Sequence, residues 1–136
     1  MAASLRQGDQ ALMIDNVEMT ASATELNRAA DATGANQALT ASGAVTAGIR
    51  SLTLAHASVV IAATIADTTA HTGFFAVTNT SASGTAAHTV TITTGTWNGT
   101  NKVATLNAPA ETLLVFFDAS GNGTIVVNTG SVALSG

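Results

Sequence analysis

His88-Thr89-Val90-Thr91-Ile92-Thr93-Thr94 places Val90 and Ile92 on one side of an extended chain and Thr89, Thr91 and Thr93 on the other. A period of two is the signature of a half-buried strand, because successive side chains leave a pleat in opposite directions. The stretches on either side read the same way. Upstream, Ile49 to Ala55 alternates in part, with Leu52 and Leu54 on one face. Val59 to Ile65 is β-branched and continuous, as expected of a strand buried on both faces. Gly73 to Thr78 follows, and its Phe74-Phe75 pair is expected in the core. Downstream come Lys102 to Leu106, Glu111 to Phe117 with its own Phe116-Phe117 pair, Thr124 to Val127 and Ser131 to Leu134. Thr, Val, Ile and Phe all favour a pleated surface.

The connections carry turn chemistry. Asn98-Gly99 joins two residues that tolerate positive φ, a strong hairpin signal. Asp118-Ala-Ser-Gly-Asn-Gly123 is a loop between apolar strands, and Ser81-Ala-Ser-Gly84 is another. Seven or eight short strands at this spacing leave an antiparallel sandwich, a jelly roll or a small barrel open. No helix-period segment occurs after about residue 40, and no fixed-period repeat is visible.

Composition sharpens the picture. The 136 residues are 46% hydrophobic but only 9% charged, where soluble domains average about 25%. Seven of the twelve charged residues lie in the first 31 positions: Arg6, Asp9, Asp15, Glu18, Glu25, Arg28 and Asp31. The other five are Arg50, Asp67, Lys102, Glu111 and Asp118. Residues 1–35 therefore read as a polar N-terminal arm and residues 36–136 as a β-sandwich body. Four cations against eight acids cannot neutralise many phosphates, so no nucleic-acid partner is expected. The longest apolar stretch, Ala55 to Ala66, is too short and too often interrupted by hydroxyls to span a membrane. The first ten residues show no secretory signal.

Within the arm, Ser22-Ala-Thr-Glu25 fits a capping box, which predicts one short helix running on through Leu26 and Arg28 and stopping by Gly34. So short a helix needs a partner surface. Leu12, Ile14 and Val17 are among the few apolar residues upstream. They form either a docking strip or a cover for the arm's own body.

Residues capable of chemistry are sparse. The absence of cysteine excludes disulfides, thiolate metal sites and a Cys nucleophile. His56, His71 and His88 match no compact metal motif and read as surface or interface residues. Asp67 and Asp118 read as turn closers and Glu111 as a strand start, not as a paired-carboxylate hydrolase. A small hydrolase would have to draw on His71, His88, Asp67 and Asp118, which follow no recognisable order. Neither a G-x-S-x-G elbow nor a phosphate loop is present. The Asn79, Asn98 and Asn122 sequons are expected to be unused. No catalytic residue, metal or cofactor is expected.

Two segments resemble tailed-bacteriophage virion proteins. Met19-Thr-Ala-Ser-Ala-Thr-Glu-Leu-Asn-Arg-Ala-Ala-Asp31 resembles the T-A-x-x-x-E-L-N stretch near the N-termini of phage head-decoration proteins and in tail-fibre proteins. Gly95-Thr-Trp-Asn-Gly-Thr-Asn-Lys-Val-Ala-Thr-Leu-Asn107, with Glu111 to Val115 and Gly130 to Ser135, is similar to the C-terminal half of small phage β-sandwich proteins. The resemblance implies a jelly-roll-like antiparallel β-sandwich body, a homotrimer and no enzyme activity. It implies a capsid decoration, or cement, protein on the outer capsid surface of the virion. Its partner would be the major capsid protein, gripped by an extended arm through Leu12, Ile14, Val17, Leu26 and Arg28. The alternative is a tail-fibre or spike component that binds a host receptor, for which Trp97 is the one candidate sugar platform. A major shell subunit fits less well, because the chain is short and its body lacks helices.

Overall fold

The computed structural model describes residues 35–84 and 86–136, together with two short strands nearer the N-terminus. The chain divides into two units, Met1–Thr33 and Gly34–Gly136. In the first unit, β1 (Met13–Ile14) pairs antiparallel with β2 (Val17–Glu18), setting Ile14 opposite Val17. The helix expected after Ser22, with Leu26 and Arg28, lies outside the described residues, as does Leu12.

The second unit is an all-β sandwich of two five-stranded sheets. The first sheet contains β3 (Asn36–Leu39), β5 (Ser51–Leu54), β7 (Gly73–Asn79), β10 (Thr112–Phe117) and β11 (Gly123–Thr129). The second contains β4 (Gly43–Ala44), β6 (Ala62–Asp67), β8 (His88–Thr94), β9 (Val103–Leu106) and β12 (Ala133–Ser135). Their spatial orders are β11-β10-β7-β5-β3 and β12-β9-β8-β6-β4. No helix among the described residues is long and apolar enough to cross a membrane.

The sandwich is as expected, but its pairing is mixed, not purely antiparallel. From β3 to β8 the chain alternates sheets at every step, so each strand meets its sheet neighbour two elements later. β3, β5 and β7 are mutually parallel, and so are β4, β6 and β8. Parallel neighbours need a long crossover; here each crossover is a strand of the opposite sheet. The remaining strands close antiparallel, with β8–β9 and β10–β11 as hairpins. A jelly roll expects antiparallel pairing throughout. Turn residues mark where the chain bends, not whether it returns to the same sheet or crosses to the other. The coils also differ in length, since the parallel strands of the first sheet begin at residues 36, 51 and 73.

Strand parity fills the space between the sheets. Leu52, Leu54, Phe75, Val77, Leu113, Val115 and Phe117 point inward from the first sheet. Ile65, Val90, Ile92 and Leu106 meet them from the second. Each such side chain contributes about 1.5–3 kcal/mol through burial. Val59 to Ile65 departs from its expectation. Ile61, Ala63 and Ile65 are buried, but Val59 and Val60 are exposed, as are Ala62 and Thr64. Among the described residues, β6 is therefore buried on one face only.

Trp97 closes one end of the core. It sits in the loop between β8 and β9, fully buried, 5.8 Å from the Phe117 ring, and its Nε1 donates to Val90 O at 3.1 Å. This loop is tied to the β10–β11 turn by Thr96 N to Gly121 O at 3.1 Å and Gly123 N to Thr96 O at 2.9 Å. Asn98-Gly99 thus turns within a long loop rather than making a two-residue hairpin.

Candidate functional site

The outer face of the first sheet is the most distinctive surface of the body. None of its five strands contains Asp, Glu, Lys or Arg, and the second sheet contains only Asp67, at the end of β6. Phe75 and Phe117 face the core, so the period of two turns Phe74 and Phe116 outward. The register sets these two directly opposite each other, and their rings meet edge to face at 5.4 Å. Phe74 is 59% exposed and Phe116 42%. Leu114 and Ala76 are the next pair on the same face, and Val127, 43% exposed, lies opposite Leu114. With roughly 200 Å² of surface per Phe, the two rings alone leave about 200 Å² of aromatic area to water. With its neighbours the patch reaches a few hundred Å², the scale at which apolar patches on soluble monomers are often functional. The expectation that both residues of each Phe-Phe pair are core is corrected by parity, which was available in the sequence.

Two of the three histidines are not the surface or interface residues expected. His88 and His71 are buried, and His56 is half-buried. His88 Nδ1 accepts from Ile61 N at 3.0 Å, so the proton of the neutral ring is on Nε2. Nε2 lies 3.2 Å from Ser81 Oγ and donates to it. Ser81 Oγ also accepts from His56 N and donates to His56 O, both at 3.1 Å. A nucleophilic serine requires an imidazole nitrogen able to take its proton. Here that nitrogen is the donor, and the hydroxyl proton is committed to a carbonyl. The Ser–His pair is a structural knot between two loops. Burial holds the His88 pKa below the ordinary histidine value; the His56 carbonyl opposes this shift and the His56 ring adds to it. His71 Nδ1 donates to Ile49 O at 3.0 Å, and its ring packs on Phe75 at 4.9 Å.

The acids hold turns, as expected. Asp67 caps a single 3-10 turn (Thr68–His71), accepting from Thr69 N and Thr69 Oγ1 at 2.9 Å. Asp118 accepts from Ser120 N at 2.8 Å and Asn122 N at 2.9 Å. These N–H donors, from Thr69 and Asn122 first, hold both carboxyls below the usual range. Glu111 is buried just ahead of β10, and its Oε2 accepts from Asn107 N and Ala108 N. Arg50 donates to His71 O and Thr72 O, and Lys102 to Gly95 O. Among the described residues, no three of His, Asp and Glu gather as a metal site.

Of the five arm residues singled out, Ile14 and Val17 are brought together as register partners. Leu12, Leu26 and Arg28 lie outside the described residues. Trp97, the candidate sugar platform, is closed off in the core, and the exposed aromatics are Phe74 and Phe116 instead. No family model, curated protein or solved structure matches this chain.

Proposed function

We propose that this chain is a structural, non-catalytic virion protein. In this reading it is a capsid decoration protein that trimerises on the outside of a phage head and staples neighbouring major capsid subunits. The observation that carries the self-association is the charge-free, apolar outer face around Phe74 and Phe116. A lone soluble domain normally carries mixed surface charge that opposes association. This face has none, so a second copy meets no like-charge repulsion, and a charged partner finds no counter-charge. Support for attachment comes from the arm, where the charged residues concentrate and where the phage-like Met19 to Asp31 segment lies. Three arms on one trimer would multiply modest contacts through effective concentration.

The experiment is a truncation. The chain lacking residues 1–31 is expected to keep the solution mass of a trimer and to lose binding to capsids. Capsid binding retained by the truncated chain would refute the arm's role, and a monomeric mass for the full chain would refute the trimer.

The exposed Phe pair also favours one second reading. In a tail-fibre or spike component, the same rings would face a host receptor. Copy number per virion separates the two, being in the hundreds for decoration and a handful for a fibre.

A further inference from the structure

Two places in the chain share the tripeptide Asn-Gly-Thr: Asn98-Gly99-Thr100 and Asn122-Gly123-Thr124. Their local chemistry is the same, yet the fold treats them oppositely. Asn98, Gly99 and Thr100 are all exposed at the tip of the β8–β9 loop. Gly99 has φ +65°, and a Cβ built there would meet nothing within 4 Å. Among the described residues, the Gly99 N–H has no protein acceptor and the Asn98 carboxamide has no hydrogen bond, while the Asn98 main-chain carbonyl accepts from Asn101 N at 3.3 Å. Gly123 is buried at the start of β11, and its N–H donates to Thr96 O at 2.9 Å. The Asn122 side chain leans on Asp118 Oδ2 at 3.4 Å.

We propose that Asn98 is a self-modification site, converting to aspartate and isoaspartate in the folded protein while Asn122 is protected. The Gly99 backbone nitrogen gives its proton to hydroxide and attacks the Asn98 side-chain carbonyl carbon. A new C–N bond closes a five-membered succinimide, the bond to Nδ2 breaks, and ammonia leaves. Water then opens the ring at either carbonyl. The net change is one amide plus one water giving one carboxylic acid plus ammonia, with no oxidant or other co-reactant. Glycine favours the attack because no Cβ shields its nitrogen.

The product matters in so neutral a body. Residues 35–136 carry two cations and three acids, and each conversion adds one negative charge. Isoaspartate also inserts a methylene into the main chain of the Asn98–Asn101 turn, beside the Trp97 N to Asn101 O bond of 2.9 Å.

Trypsin separates the two sites, because cleavage after Arg50 and Lys102 leaves Asn98 on the 51–102 peptide and Asn122 on the 103–136 peptide. The full-length protein is aged in mildly alkaline buffer, folded or in urea, then digested and weighed. Conversion at Asn122 requires Gly123 to part from Thr96 O, so in the folded protein Asn98 is expected to convert roughly tenfold faster or more. In urea the two rates are expected to be similar, and Asn98→Gln is expected to remove the fast conversion from the 51–102 peptide, whose other asparagines, Asn79 and Asn101, are not followed by glycine. Equal rates in the folded protein, or an inert Asn98 there alongside conversion in urea, would overturn the assignment.

Discussion

Phe74 and Phe116 face each other across the β7–β10 ladder on the water side of the sheet, at 5.4 Å and 75° between ring planes. Their chain neighbours Phe75 and Phe117 stand opposite Val115 and Gly73 instead, and meet diagonally inside the core with ring centroids 6.0 Å apart. The same dipeptide, used twice in adjacent strands, thus builds one aromatic pair for folding and one for the surface. An edge-to-face pair contributes about 0.5–1.5 kcal/mol beyond area, far less than burying both rings.

The two pairs should therefore respond differently to truncation. Phe75→Ala or Phe117→Ala is expected to cost about 3–5 kcal/mol of stability, measured by denaturant unfolding. The double change Phe74→Ser with Phe116→Ser removes two half-exposed rings and is expected to cost about 1–2 kcal/mol per site, less than either core truncation, and to lower the solution mass of the proposed trimer. An unchanged mass would remove the outer face as the association surface.

His88 should make the body acid-sensitive. Its folded-state pKa lies below the ordinary value of 6.5, so below that pH the folded chain binds fewer protons than the unfolded chain. Stability present above pH 6.5 is then lost as pH falls towards the folded pKa, because a proton on Nδ1 would confront the Ile61 N–H. Thermal unfolding across this window is expected to show the loss, and His88→Asn, whose carbonyl can accept from Ile61 N without titrating, is expected to flatten it. Asp67 and Asp118 contribute a separate loss at lower pH, since both carboxyls titrate below their ordinary value of 3.8.

Gly95 and Gly99 both have positive φ but differ in surroundings. A Cβ on Gly95 would stand 1.8 Å from Thr68 Oγ1 and 2.5 Å from Gly121 O, displacing the 2.7 Å bond between Thr68 Oγ1 and Gly121 O. Gly99→Ala is expected to cost about 1–2 kcal/mol from backbone strain alone, and Gly95→Ala clearly more. Comparable losses in a denaturant titration would contradict the tight junction at Gly95.

Glu111 holds the loop before β10 rather than any reactant. Glu111→Ala leaves two backbone N–H groups without their acceptor and is expected to cost about 1–3 kcal/mol. Glu111→Gln retains one acceptor oxygen and is expected to cost less, as judged by unfolding midpoints.

Much of this fold was legible residue by residue. The alternation of His88 to Thr94 marked β8 and its buried face, and Asp118 to Gly123 marked the β10–β11 turn. What escaped was non-local. Val90 and Ile92 report which face is buried, but nothing in their spacing says that β8 lies parallel to β6. Val59 to Ile65 misled because Val59 and Val60 lie in the loop before β6, where Val59 N is held by His56 Nδ1 at 2.9 Å, and because Ala62 and Thr64 face outward from the sheet. The burial of His88 depends on Ser81 and Ile61, seven and 27 residues away, which no local pattern encodes. The outward Phe74 and Phe116, by contrast, follow from strand parity alone.

The most direct measurement of the proposed decoration role is a three-dimensional map of phage particles prepared with and without this chain. A decoration role requires density for the sandwich in threefold clusters on the outer head surface, with an arm reaching onto neighbouring capsid subunits, and its loss from particles lacking the chain. Density confined to the tail or its fibres, on a head unchanged between the two particles, would contradict the assignment.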